Sequence, residues 1–120
     1  DANEPPTING DGTQAYDFVY VEDVARSNVL ALQAESTDEF YNVGSGVQTS
    51  IKELCELILS LKESDLKVTY RPYSEDDARR MVQNRIGCPK KASRELGFNY
   101  TYSLEEGLLK LIHWRNSGKA

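Results

Sequence analysis

Few groups in this 120-residue chain have the type and spacing to do chemistry. The turn Gly10-Asp-Gly12 offers backbone amides, but it lacks the lysine of a phosphate-binding P-loop and the third glycine of a dinucleotide fingerprint. Asp11, Asp17, Glu22 and Asp23 crowd one stretch, yet they fall in a turn, at a strand start and at a helix cap, which is poor geometry for a shared metal. The single histidine, His113, sits near the end of a predicted helix, where a positive charge is favoured, and has no catalytic partners in reach of its spacing. None of the seven tyrosines has a lysine four residues later, so the tyrosine–lysine pair of hydride-transfer chemistry is missing. Arg79, Arg80 and Arg85 remain. Guanidinium groups beside a sugar or phosphate pocket give bidentate hydrogen bonds, and a solvated charged face opposite the acidic stretch at 74–77 accounts for the same spacing.

The elements that must position these groups alternate between strand and helix, which excludes an all-helical or all-β domain. The opening DANEPP reads as irregular, and Gly10-Asp-Gly12 as a chain reversal. Phe18–Val21 is apolar at every position and predicts a central strand covered on both faces. Glu22 and Asp23 then open a helix to about Gln33, with Val24, Ala25, Ala31 and Leu32 as its apolar stripe and Asn28 as a buried amide within it. Phe40–Val43 predicts a second strand, and Lys67–Arg71, stopped by Pro72, a third. Ser50 and Glu53 have the spacing of a capping box before a helix bearing Ile51, Leu54, Cys55, Ile58 and Leu61. Residues 79–86 suit either strand or helix, while Pro89 starts a short helix through Leu96 that Gly97 ends. A second capping box at Ser103 and Glu106 opens the last helix, from Leu104 to Trp114.

The length suits a single domain spanning residues 1–120. A net charge of −5 with no broad cationic face argues against a nucleic-acid partner. Cys55 and Cys88 show neither zinc-site spacing nor a disulfide framework, and Cys55 reads as a small buried hydrophobe. With no membrane-length apolar run and no signal peptide, a cytoplasmic location is expected.

Four segments carry a family resemblance in unbroken order: GDGTQAYDFVYVEDVARSNVLAL, YNVGSGVQTSIKELCELI, RIGCPKKASRELGF and SLEEGLLKLIHWR. Together they resemble the C-terminal part of the extended short-chain dehydrogenase/reductases, the NAD-dependent sugar-nucleotide epimerases and dehydratases. The resemblance implies a mixed α/β substrate-binding region lacking the N-terminal Rossmann half, and with it the glycine-rich turn and the catalytic Tyr/Lys segments. It implies that Ile8, Asn9 and Gly10 face the base or ribose of a nucleotide diphosphate sugar, and that an arginine among Arg79, Arg80 and Arg85 meets the diphosphate. No catalytic residue and no cofactor site is implied within the chain, and NAD belongs to the full-length parent. Tyr16 stands where many members carry a phosphate-contacting arginine, which shifts weight to the later arginines, and Cys88 replaces a common aspartate. The second expectation is a non-catalytic module that associates with itself as a homo-oligomer, or with a partner, through an orphaned apolar face.

Overall fold

The computed structural model describes residues 3–118. Its elements are β1 (Thr7–Asn9), β2 (Ala15–Tyr16), α1 (Val21–Gln33), β3 (Thr49–Ser50), α2 (Ile51–Leu61), β4 (Thr69–Arg71), α3 (Glu75–Arg80), β5 (Asn84–Arg85), α4 (Lys90–Leu96) and α5 (Leu104–Asn116). The expected irregular opening is seen over residues 3–6, its first two residues lying outside the described range. The chain divides into two compact units. One holds the chain up to Tyr16 together with Gln48–Arg85, and the other holds Asp17–Val47 and the chain from Ile86 onward.

In the first unit β1 pairs in parallel with β4, Ile8 opposite Tyr70 and Asn9 opposite Arg71. A second sheet places β2 between β3, antiparallel, and β5, parallel. The reversal expected at Gly10-Asp-Gly12 joins β1 to β2, with both glycines at positive φ. The capping box at Ser50 and Glu53 is complete, each side chain bonding the other residue's backbone amide, so α2 starts where local chemistry requires. Its Cys55 is half-buried, and burial, followed by the neighbouring Glu56 charge, pushes the thiol pKa up and leaves it a poor nucleophile. Arg79 and Arg80 end a short helix, while Asn84 and Arg85 form a strand, so the ambiguous stretch contains both elements.

In the second unit the core is Ala92, Leu96 and Phe98, with Leu30, Ala34, Tyr41 and Val43 packed against it. Gly97, in the left-handed conformation, closes α4, and its amide and that of Phe98 bond back to the last turn. The buried carboxylate of Asp23 accepts hydrogen bonds from the amides of Thr101 and Tyr102 and pairs with Arg26, tying the start of α1 to the approach to α5. Asp17 accepts bonds from the Ser45 amide and hydroxyl and from the Gly46 amide.

Three expectations change here. Phe18–Val21 is not a strand: residues 18–20 join no ladder, Tyr20, itself extended, caps α1, and Val21 is already helical. Phe40–Val43 joins no sheet either. Strand character requires a neighbour to complete the ladder, and among the described residues no such ladder reaches these stretches. The third change concerns α1, whose apolar stripe faces outward. Asp23 and Ser27 are buried, whereas Val24, Ala25, Asn28, Ala31 and Leu32 are exposed.

Candidate functional site

Asn9 is the last residue of β1, and the even-numbered residues bond toward β4: the Pro6 carbonyl accepts from the Thr69 amide and the Gly10 amide donates to the Arg71 carbonyl. In a parallel ladder that alternation turns the Asn9 peptide groups the other way, and its carbonyl accepts from Gln14 Nε2 at 3.2 Å. Its side-chain Oδ1 accepts from Arg71 Nε at 2.5 Å. Gly10, Asp11, Tyr70, Arg71 and Pro72 line an open hollow of about 450 Å³. Gly10 has φ +79°, and a Cβ there would come within 2.2 Å of the Tyr73 ring, so the position demands glycine for conformation and for close approach alike. Burial, then the neighbouring Tyr16, Asp11 and Asp77, raise the Tyr73 hydroxyl above its ordinary pKa, against an opposing hydrogen bond from Gln14.

The residues singled out from sequence divide by what they can present. Ile8 is 2% exposed, so its side chain is core, and only its backbone lies at the loop. Arg79 and Arg80 are exposed on the last turn of α3, and consecutive helical residues point about 100° apart, so they do not converge on one group. Arg85 is exposed on β5, directly beside Tyr16 in the parallel register. Neighbouring strands lie about 4.8 Å apart and residues in register share a face, so the Arg85 side chain springs from the position next to Tyr16. The Tyr16 hydroxyl donates to the Val82 carbonyl at 3.0 Å, which ties that aromatic to the segment leading into β5. The same segment is fixed by the Ala15 amide on the Gln83 carbonyl and by Gln83 Nε2 on Thr13 Oγ1.

Arg71 and Tyr73 were not among the predicted site residues. Sequence showed Arg71 only as a strand end before Pro72 and Tyr73 only as one of seven tyrosines. Their placement at the Asn9–Gly10 turn comes from pairing across more than sixty residues, for which no local signal exists.

Among the described residues no group of histidines, cysteines and carboxylates could hold a metal ion, and no helix is long and apolar enough to cross a membrane.

Comparison with known proteins identifies the family. The family model described as GDP-mannose 4,6 dehydratase matches residues 1–111. A putative UDP-glucose 4-epimerase of Methanocaldococcus jannaschii is 34% identical over 93% of this chain and 34% of its own length. The crystal structure of UDP-glucose 4-epimerase from Thermotoga maritima with UDP-glucose is 32% identical and superposes with a TM-score of 0.88 over 98% of this chain and 37% of that one. That of UDP-glucuronic acid 4-epimerase from Bacillus cereus, in complex with NAD, is 28% identical with a TM-score of 0.74 over 89% and 33%. The chain thus spans about a third of the length of the relatives it matches. With the four sequence segments and the fold in agreement, the chain belongs to the GDP-mannose 4,6 dehydratase family, among the NAD-dependent sugar-nucleotide epimerases and dehydratases of the extended short-chain dehydrogenase/reductase type.

Proposed function

We propose that residues 1–120 act as one C-terminal substrate-binding region of such an epimerase or dehydratase, holding a nucleotide diphosphate sugar and inactive without the Rossmann half. The observation that carries this reading is the placement of Arg85 in register beside Tyr16. Where the resemblance puts a phosphate-contacting arginine, this chain has a tyrosine, and the adjacent strand supplies a guanidinium at the same face. The loop of Ile8, Asn9 and Gly10 then meets the base or ribose, and Arg85 meets the diphosphate, with Arg79 and Arg80 as outlying charge. Binding energy from this end of the substrate would orient the sugar for chemistry elsewhere.

Among the described residues no glycine-rich turn leads from a strand into a helix, the arrangement that cradles the pyrophosphate of NAD. A pyrophosphate is held best at a helix N-terminus free of negative charge. The first turns of α1, α2, α3 and α5 carry Glu22 and Asp23, Glu53, Glu75 to Asp77, and Glu105 and Glu106, and the one helix that opens without an acid among the described residues, α4, is only 7 residues long. The Gly10-Asp-Gly12 turn leads into a strand instead of a helix. Hydride transfer is accordingly assigned to the portion of the parent enzyme that this chain does not span.

Titration of the isolated chain with UDP-glucose, followed by amide NMR shifts, tests the proposal. Shifts are expected at Asn9, Gly10 and Arg85, with weak binding that falls further as salt is added. Arg85→Ala should weaken binding by about tenfold or more, the loss of a charge-assisted hydrogen bond, while Arg80→Ala should change it by less than about twofold. Shifts confined to other segments would remove the site.

A further inference from the structure

The loop assigned to the nucleotide is already covered from within the chain. Tyr73 is half-buried, and its ring lies so close over Gly10 that a Cβ there would meet Cε2, Cζ and the hydroxyl. Beside that hydroxyl stands Gln14, 8% exposed. Gln14 Nε2 donates to the Asn9 carbonyl at 3.2 Å, and Oε1 is buried with no hydrogen-bond partner among the described residues. The Gln14 backbone serves the fold, since its carbonyl accepts from the Ile51 amide, but the side-chain oxygen has lost its hydration without replacement.

The segment that carries Tyr73 is lightly held. Pro72 and Tyr73 lie between β4 and α3, Ser74 caps α3, and every residue of that helix is exposed. A segment with so few buried contacts opens at low cost. The ring can therefore leave Gly10 without disturbing the β1–β4 ladder, which ends at Arg71.

We propose that Tyr73 is a gate of the nucleotide subsite: its phenol stands on Gly10 in the free chain, and a nucleobase displaces it, laying its own ring there and donating a ring N–H to Gln14 Oε1. This inference rests on the function proposed above and adds to it the residue that must move and the acceptor that reads the base. The phenol outlines the ligand, a flat ring on a bare glycine with its polar end at Gln14. The pyrimidine-2,4-dione of a uridine nucleotide has that outline, and its N3–H supplies the donor that the phenol does not give to Oε1. A ring fixed on Gly10 as a permanent wall would leave that oxygen orphaned in every state. A gate also lowers the apparent affinity in proportion to the fraction of chain that is open.

Titration of the chain with UDP-glucose, read by nuclear Overhauser contacts between the Tyr73 ring and the Gly10 α protons, tests the gate. The contact should be present in the free chain and vanish at saturation. Tyr73→Ala should bind about threefold more tightly than the parent, or better, because the closed state is removed, while Tyr73→Phe, which keeps the ring, should stay within about twofold. The acceptor is tested by comparing UDP with its 3-methyl derivative, whose base carries no ring N–H. The parent chain should prefer UDP by about tenfold, and Gln14→Met, which keeps the volume and deletes the oxygen, by less than about twofold. A contact that persists at saturation, or a Tyr73→Ala chain that binds no more tightly than the parent, would make the ring a fixed wall and overturn the gate. Equal preference for UDP in the parent and in Gln14→Met would remove Gln14 from the base. Shifts at Arg85 with the Tyr73–Gly10 contact retained would leave the substrate site standing and sink the gate alone, whereas no binding by either the parent or Tyr73→Ala would remove both.

Discussion

Asp23 is 1% exposed and surrounded by donors. Burial pushes its carboxyl pKa up, but the hydrogen bonds from Arg26 and from the Tyr102 and Thr101 amides outweigh it, and the pKa lies below the ordinary value. A depressed pKa means that the folded state favours the charged form. Its stabilisation is complete above the unfolded value, near pH 3.9, and is lost as pH falls through the lower folded value. Asp23→Asn should therefore cost about 2–3 kcal/mol at pH 7, since the amide cannot satisfy three donors and turns its own donors toward them. Urea unfolding checks this: the gap between parent and variant should narrow from pH 7 to pH 2.5, and a constant gap would count against the charge. From sequence Asp23 was legible only as a carboxylate favoured by a helix dipole. That it receives amides seventy-eight residues away follows from packing alone.

The helices with reciprocal caps were readable as elements because their information is local. Ser50 with Glu53 and Ser103 with Glu106 announce where α2 and α5 begin, and in both pairs the glutamate pKa is lowered by the serine amide and hydroxyl it accepts from. Ser103→Ala should destabilise the fold by about 1 kcal/mol, measured as a shift in the urea midpoint, and Ser103→Asp should restore most of it. Strands carry no such local guarantee. Of the expected run Lys67–Arg71, Thr69–Arg71 forms a strand because β1 lies alongside, while Phe18–Val21 and Phe40–Val43, with stronger β-forming composition, do not. The apolar stripe of α1 was correctly identified by period, yet period cannot say which side of a helix the core occupies.

At the scale of the whole molecule, carboxylates in the first turns of α1, α2, α3 and α5 lead to the expectation that this chain alone shows no saturable micromolar isotherm with NAD in calorimetry. Such an isotherm would require a phosphate cradle elsewhere and would undo the division of labour proposed between the two parts of the enzyme. The sequence by itself determined the mixed α/β class, the family and the local starts and stops of the helices, because caps, turn glycines and ordered motifs act over a few residues. It also pointed to Arg85, though only as one of three arginines. Tertiary structure alone decided that Arg85 stands beside Tyr16, that Arg71 and Tyr73 meet the Asn9–Gly10 turn, and that the apolar face of α1 looks outward. Each of those facts depends on segments distant in the chain lying side by side, and a residue's type constrains its neighbours along the backbone far more tightly than its neighbours in space.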